Sequence, residues 1–420
     1  MDAKTARVIR PWGQWIFLRG VVLNHVDVIV IGGGASGLMC AGIAGQRGRR
    51  VLVLDSSNKV GKKILMSGGG RCNFTNMDVQ PEHFLSHNSH FCISALNRYT
   101  QWDFLALIAK YNIPYHERKH GQLFCDRSAK DILQLLLDEC TLGKVEIRTQ
   151  CHISRIQTQE NAQARFILTT NLGTFCSTSL VVATGGLSIP TMGASGFGYE
   201  VAQQFGHALL PTRAGLVPFM FSDALKPVCE RLSGLALDVV MHSESARFAE
   251  SLLFTHRGIS GPAALQVSNY WHAGEPISID LFPHMDMADW LKTLKQQHPK
   301  SLLRTHFYEL VAKSLVLELQ TLLWPTLADT ALANIPDAAL QELAERLQCW
   351  TLKPSGTEGY RTAEVTLGGI NVDEVSSKTL ESKKQAGLYF VGEVLDVTGW
   401  LGGYNFQWAW ASGHAAGQAV

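Results

Sequence analysis

Residues 26–37, VDVIVIGGGASG, run from four apolar residues (28–31) into Gly32-x-Gly34-x-x-Gly37, and Leu38, Met39, Ile43 and Ala44 continue at helical spacing. A second apolar run, 51–54, ends at Asp55, 18 positions after Gly37. Strand, glycine turn, helix, strand and acid at these offsets make a dinucleotide-binding βαβ unit. Gly32 permits the tight turn, Gly34 lets the backbone approach a pyrophosphate, and Gly37 lets helix and strand pack closely. Ala35 and Ser36 open the helix, whose unpaired N–H groups and partial positive charge suit phosphate. Asp55 can accept a hydrogen bond from a ribose 2′-OH and would repel a 2′-phosphate.

Three further segments suit a flavin better than a nicotinamide. Lys62 and Lys63 lead into the loop Ser67-Gly68-Gly69-Gly70-Arg71-Cys72-Asn73. Its backbone N–H groups can form an anion-binding nest, with Ser67, Gly69 and Lys63 beside it. Arg71 can reach a pyrophosphate bidentately, and Asn73 can bond a flavin or its ribityl chain. Ala183-Thr184-Gly185-Gly186 ends a buried strand at the carboxyl edge of the sheet, where cofactors lie in open α/β folds. The strand that ends in Gly392, Glu393 and Asp396 offers acids to ribityl hydroxyls. A helix starting at Asn405 and Phe406 can stabilise negative charge on the N1–C2=O edge of a reduced flavin.

Thr255, His256 and Arg257, followed by Ser260, Gly261 and Pro262, read as a cluster beside a helix start, with Ser260 as N-cap. Such a cluster can bind a substrate carbonyl and deliver a proton; a structural histidine in a turn is the other reading. Cys72 is either a redox or acid residue or a small residue packed beside the cofactor. No His/Cys/Asp spacing suggests a metal site, and no second GxGxxG follows a strand, so the chain holds no dedicated NAD(P)H domain.

Helical patterns follow at residues 90–111 and 128–140, strand runs at 144–148, 165–170 and 180–184, and a helix at 199–205. From about residue 209 the texture changes to short alternating apolar segments at 217–221, 235–242, 251–254 and 277–281, which is antiparallel β. Residues 286–350 are helical in texture, strand-like sequence returns at 361–365, and a last strand (388–391) and helix (405–418) close the chain. The domains expected are an N-terminal extension (1–25), a discontinuous dinucleotide domain (26–205 and 356–420), a β insert (206–285 and 349–355) and a helical insert (286–348).

The 420 residues suffice for two or three domains, and 46% of them are hydrophobic. No apolar run has the length of a membrane span. Nine unpatterned cysteines fit reduced thiols and a cytoplasmic location, with Cys40, Cys140 and Cys176 as small core residues. The net charge is +1; residues 1–25 carry +3, which leaves the remainder at −2. A body so near neutrality argues against broad, non-specific nucleic-acid binding. The apolar pieces of the extension are split by Arg19-Gly20, which leaves a tail, a misassigned start or an anchoring arm rather than a signal peptide.

These motifs resemble the flavoprotein family that includes YhiN, BaiN and the aminoacetone-oxidase-like proteins. The likeness runs from Val26 to the end of the chain. It rests on IGGGASG (31–37), GKKILMSGGGRCNFTN (61–76), ATGGLSIPTMGASGFGY (183–199), LLFTHRGISGPAALQ (252–266), GTEGYRTAEVTLGGI (356–370) and GLYFVGEVLDVTGWLGGYNFQWAWASG (387–413). QLFCD (122–126) and TRAGLVPF (212–219) are in the style of the YhiN-type ribosomal RNA dihydrouridine synthase branch. Asp55 stands where Glu is common, and Glu393 where a Gly-Asp pair is usual; both keep a carboxylate.

The resemblance implies an α/β fold. A Rossmann-like FAD-binding domain, of glutathione-reductase-like βαβ type with a three-layer sheet, is interrupted by a β-barrel-like domain with a helical insert. It implies FAD as cofactor and NAD(P)H as electron donor. In this branch it implies reduction of a uridine of 23S ribosomal RNA to dihydrouridine by hydride from flavin N5. Relatives outside the branch imply a small-molecule enone reductase or an amino-ketone oxidase, and a non-catalytic flavin-binding regulator is a third class. For RNA, the sequence offers Lys292, Lys295, Lys300 and Arg304, then Arg118, Lys119 and His120 near Tyr115, with Trp271, Trp290 and Phe307 as stacking candidates. For any one charged group, a solvated face is the reading that comes first. Neither sequence nor resemblance sets the oligomeric state.

Overall fold

A computed structural model describes residues 15–18, 21–160, 164–222 and 224–420. Of the expected extension, residues 1–14 and 19–20 lie outside the described residues. Trp15–Leu18 pairs antiparallel with the start of the first long strand, Val21–Ile31, which therefore begins seven residues before the apolar run at Val28. The chain divides into two compact units, one ending at Thr212 and resuming at Thr366, the other Arg213–Val365.

The first unit is built on parallel strands in the order Glu146–Arg148, Val51–Leu54, Val21–Ile31, Gly173–Val182 and Leu388–Phe390. Their central residues, Val28 to Ile31, Val51 to Leu54 and Leu180 to Val182, are buried throughout, as strands covered on both faces must be. Along the edge away from Val21–Ile31, the Gly173–Val182 strand serves two partners. Its first half closes an antiparallel meander with Phe166–Thr170 and Ile153–Thr158, and its last residues pair with Leu388–Phe390. Helices Ala35–Gln46, Lys130–Leu142 and Tyr404–Ala419 pack together. The helical pattern at 90–111 is two helices, Ile93–Arg98 and Gln101–Lys110, because Thr100 caps the second through Asp103. A separate three-stranded sheet, Asn73–Asn76, Gln122–Cys125 and Tyr115–Glu117, carries the end of the glycine-rich loop.

The second unit holds an all-antiparallel sheet in the order Trp350–Leu352, Ile277–Asp280, Ala236–His242, Arg247–Thr255, Gly258–Ser260, Phe219–Met220 and Gly356–Thr357. Its two edge strands are joined by three residues, 353–355. Four Cα steps reach about 15 Å, whereas six flat inter-strand spacings cover about 29 Å. The sheet therefore curls back on itself in barrel-like fashion. Helices Met287–Gln297, Leu303–Leu310, Lys313–Leu323 and Asp337–Gln348 are inserted before its Trp350–Leu352 edge and enclose Leu291, Phe307, Leu319 and Leu343. The strand expected at 361–365 lies later, at Val365–Ile370, after a helical turn over Gly359–Arg361.

Candidate functional site

The glycines of the first turn do different work. At Gly32 (φ +106°) a Cβ would lie 2.4 Å from the Ala183 carbonyl oxygen, and at Gly37 it would lie 2.0 Å from that of Gly32. Both positions exclude any side chain. A Cβ on Gly34, the residue that starts the Ala35–Gln46 helix, would meet nothing within 4 Å, and no side chain caps that helix. The open space in front of uncapped N–H groups is the geometry an anion requires. Asp55 borders it. Its Oδ2 accepts the Gly33 N–H (2.7 Å) and its Oδ1 that of Ser57 (2.7 Å). The carboxylate is held in place with lone pairs to spare. Ser36 is buried, and its hydroxyl packs against Gly392.

Glu393 is a hub rather than a lone acid. Its Oε1 accepts from Ser188 Oγ (3.0 Å) and the Thr366 N–H (2.9 Å), and its Oε2 from Lys63 Nζ (3.0 Å). Lys63 also donates to Ser188 Oγ (2.6 Å). Thr366 Oγ1 takes the N–H groups of Leu187 (2.8 Å) and Ser188 (3.2 Å). Four separate segments of the first unit are thereby tied into one wall. Ser188 and Thr366 were not legible as site residues: they lie far along the chain from Lys63, and no spacing signals such a cluster. Thr184 and Gly185 (φ +72°) sit at the strand end, and the Thr184 hydroxyl is covered by Gly198, whose Cβ would lie 2.1 Å away. Gly392 (φ +74°) donates its N–H to Ser412 Oγ (3.0 Å) and accepts from Trp408 Nε1 (3.1 Å).

The loop after the Lys62–Met66 helix turns through three successive left-handed glycines, Gly68 to Gly70. Ser67 Oγ donates to the Ile64 carbonyl (2.7 Å), Gly69 faces open space, and Arg71 is exposed. Asn73 lies against Gln122 Oε1 (3.2 Å). Cys72 is wholly buried, and burial pushes its thiol far up, so it holds no thiolate near neutral pH. Burial thus favours the packing reading of Cys72 over a reactive thiolate.

The C-terminal segment engages its predicted residues within the chain. Asp396 is buried; its Oδ2 accepts the His87 N–H (2.7 Å) and Ser86 Oγ (3.4 Å), and burial holds its carboxyl above the usual range. It ties down the segment at 86–87 rather than presenting an acid. Asn405 clips its own entry turn, accepting the Gly399 N–H (2.8 Å) and donating to the Gly399 carbonyl (2.8 Å). The helix starts at Tyr404 with no side-chain cap. Phe406 is half-buried and stacks on Trp410 (5.4 Å, 14°).

In the second unit, Thr255, His256 and Arg257 do not crowd a helix start. His256 and Arg257 are the exposed two-residue tip of the hairpin between Arg247–Thr255 and Gly258–Ser260. Thr255 Oγ1 braces that tip, accepting the Arg257 N–H (3.4 Å). Ser260 is a strand residue, and the next helix begins at Pro262 behind Gly261. The stacking candidates are also corrected. Trp271 and Phe307 are buried, and Trp290 packs edge-on against Phe307 (5.2 Å). Two of the four basic residues of the insert are employed internally, Lys295 on Asp337 (2.6 Å) and Arg304 on Asp329 (2.9 Å). Among the described residues, no group of His, Cys, Asp and Glu could hold a metal ion, and no helix is long and apolar enough to cross a membrane.

A family model described as the HI0933-like protein Rossmann domain matches residues 26–419. A protein of Escherichia coli (strain K12) named ribosomal RNA dihydrouridine synthase is 50% identical over 397 residues, covering 94% of this chain and 98% of its own. A Clostridium scindens protein named 3-dehydro-bile acid delta(4,6)-reductase is 29% identical over 417 residues, 95% of this chain and 99% of its own. The fold is similar to that of 3-ketosteroid-delta4-(5alpha)-dehydrogenase from Rhodococcus jostii RHA1, with a TM-score of 0.50, 12% identity, and coverage of 94% of this chain and 97% of that one.

Proposed function

The chain belongs to the HI0933-like Rossmann family, and from that premise we propose that it is an FAD-dependent oxidoreductase, cytoplasmic and supplied by NAD(P)H, that reduces a uridine of 23S ribosomal RNA to dihydrouridine. The observation that carries this reading is the 50% identity, over nearly the full length of both chains, to a protein named for that reaction.

The residues present fit the cofactor. Open space at Gly34, before an uncapped helix, suits a pyrophosphate held by the N–H groups of Ala35 and Ser36. Asp55, fixed by Gly33 and Ser57, would take an adenosine ribose hydroxyl. The wall of Lys63, Ser188, Thr366 and Glu393 and the loop from Gly68 to Asn73 would hold the flavin half. When bound, reduced FAD supplies a hydride donor.

Uracil C5=C6 is conjugated with C4=O, so its saturation needs a hydride at C6 and a proton at C5. For the proton, His256 is the candidate, with Thr255 bracing its turn and Arg257 beside it as a partner for a carbonyl or phosphate. The glycine loop faces open space at Gly69, which leaves room for a base.

The test uses purified protein. It should carry a visible flavin spectrum that NADH or NADPH bleaches, and re-oxidation should follow addition of unmodified 23S rRNA, with dihydrouridine found by mass spectrometry of the digest. His256→Ala should slow that step at least about tenfold while flavin content is kept. A flavin that never responds to RNA would reject the reading. A second reading, reduction of an enone in a small molecule, is favoured by the 29% identity to a protein named as a bile acid reductase; re-oxidation by a 3-oxo-4-ene steroid and not by RNA would select it.

A further inference from the structure

The small sheet formed by Asn73–Asn76, Gln122–Cys125 and Tyr115–Glu117 continues the glycine loop outward. Alternation along its strands puts Asn73, Phe124, His116 and Arg118 on one face. Phe124 pairs with both Asn73 and His116 across the sheet, and the Arg118 N–H donates to the Gln122 carbonyl (2.8 Å). The Arg118 guanidinium lies over the Phe124 ring, 4.4 Å from its centroid, and His116 stacks on the same ring (6.1 Å, 16°). Arg118 Nε donates to His116 Nε2 (3.1 Å), which leaves the proton on Nδ1 to be donated to Asp126 (2.6 Å). Phe124 also touches the loop: a Cβ on Gly68 would lie 2.9 Å from its Cε1. Arg71 is bound to the next residue, its carbonyl accepting the Cys125 N–H (3.0 Å).

An exposed arginine thus lies over a buried ring and is held by a histidine, at the border of the loop assigned to the flavin. Exposed Lys119 and His120 follow it in the turn, and exposed Arg71 lies on the loop side. Asp126 is engaged by His116, and Glu117 falls on the opposite face of the strand, as does Tyr115, which is edge-on to Phe74 (5.7 Å). A planar, pre-oriented guanidinium is a fork for phosphate oxygens. A stacked arginine beside an open glycine loop also suits a nucleotide taken out of its stack.

We propose that Arg118, with Lys119, docks the phosphates of the RNA strand that flank the target uridine. This rests on the RNA-reductase reading above, and the experiment separates the two. Full-length, FAD-loaded protein is titrated with unmodified 23S rRNA by filter binding at several salt concentrations. Arg118→Glu with Lys119→Glu should raise Kd at least about tenfold and lower the salt slope by roughly one to two, because two phosphate contacts are lost. Arg118→Lys, which keeps charge but not the guanidinium fork, should fall in between. Arg127→Glu, whose arginine pairs with Asp131 four residues on, should bind like the wild type. An unchanged thermal midpoint shows that the double variant folds. If the wild type makes dihydrouridine and the double variant binds with the same Kd and salt slope, the docking assignment is overturned alone. If the wild type neither binds nor reduces rRNA, the functional reading fails and takes this assignment with it.

Discussion

At the scale of single residues, two glycines of one motif should respond to substitution in opposite ways. Gly37→Ala places a Cβ 2.0 Å from a backbone carbonyl, and no flexible side chain can yield. We expect at least about 1–3 kcal/mol of destabilisation, read as a lower thermal midpoint of the apoprotein. Gly34→Asp meets open space and an ordinary φ of −83°, so the apoprotein should melt like the wild type. Its flavin content should fall close to zero, because a carboxylate then occupies the space assigned to pyrophosphate. Glu393→Ala removes the acceptor shared by Lys63, Ser188 and Thr366 and should cost about 1–3 kcal/mol; a midpoint equal to the wild type's would show that the hub is not needed. The Asp55 site was legible in sequence because strand, turn, helix and acid fall within 30 residues. The Glu393 hub was not, because its four members come from distant segments and share no spacing.

At the scale of elements, the final helix decides how the loop from Gly68 to Asn73 is held. Trp410 Nε1 donates to the Phe74 carbonyl (2.8 Å), and Gln407 bridges Thr75 Oγ1 (2.7 Å) and the Tyr99 carbonyl (2.9 Å). The same helix approaches Ala35–Gln46 so closely that a Cβ on Gly413 would lie 2.5 Å from the Ser36 carbonyl oxygen. Gly413→Val should force the helices apart and lower both the thermal midpoint and the affinity for FAD; retention of both would mean that the packing yields more than the geometry implies. Helix periodicity and the glycine motif made this pair readable. The hairpin tip at His256 was not, for a local reason. Its turn has none of the Asn-Gly or Asp-Gly chemistry that marks two-residue loops, and neither residue takes a positive φ. The strand that follows is three residues long and runs straight into Gly261-Pro262, so a helix signal masked a strand.

At the scale of the whole molecule, burial sets the response to acid. His83, His207, His242, His306 and His414 all titrate below their ordinary value, with burial as the leading cause. The unfolded chain protonates these rings near pH 6.5 while the folded chain resists. Between about pH 6.5 and the lower folded values the unfolded state therefore holds more protons, and stability falls as pH falls. The thermal midpoint should drop between pH 7.5 and 5.5. His207→Gln should flatten part of that slope, since His207 is buried against Ser382 (2.6 Å) and Phe390 in the first unit. A midpoint that does not change with pH over this range would contradict the burial argument. Composition made none of this visible, because 15 histidines in a sequence do not say which are enclosed.

The central claim is the reaction on RNA, and its most direct measurement is dihydrouridine in 23S rRNA, by mass spectrometry, from cells with and without this gene. The account predicts that one dihydrouridine disappears with the gene, returns with the wild-type protein and does not return with Gly34→Asp. An unchanged dihydrouridine content in cells lacking the gene would contradict it.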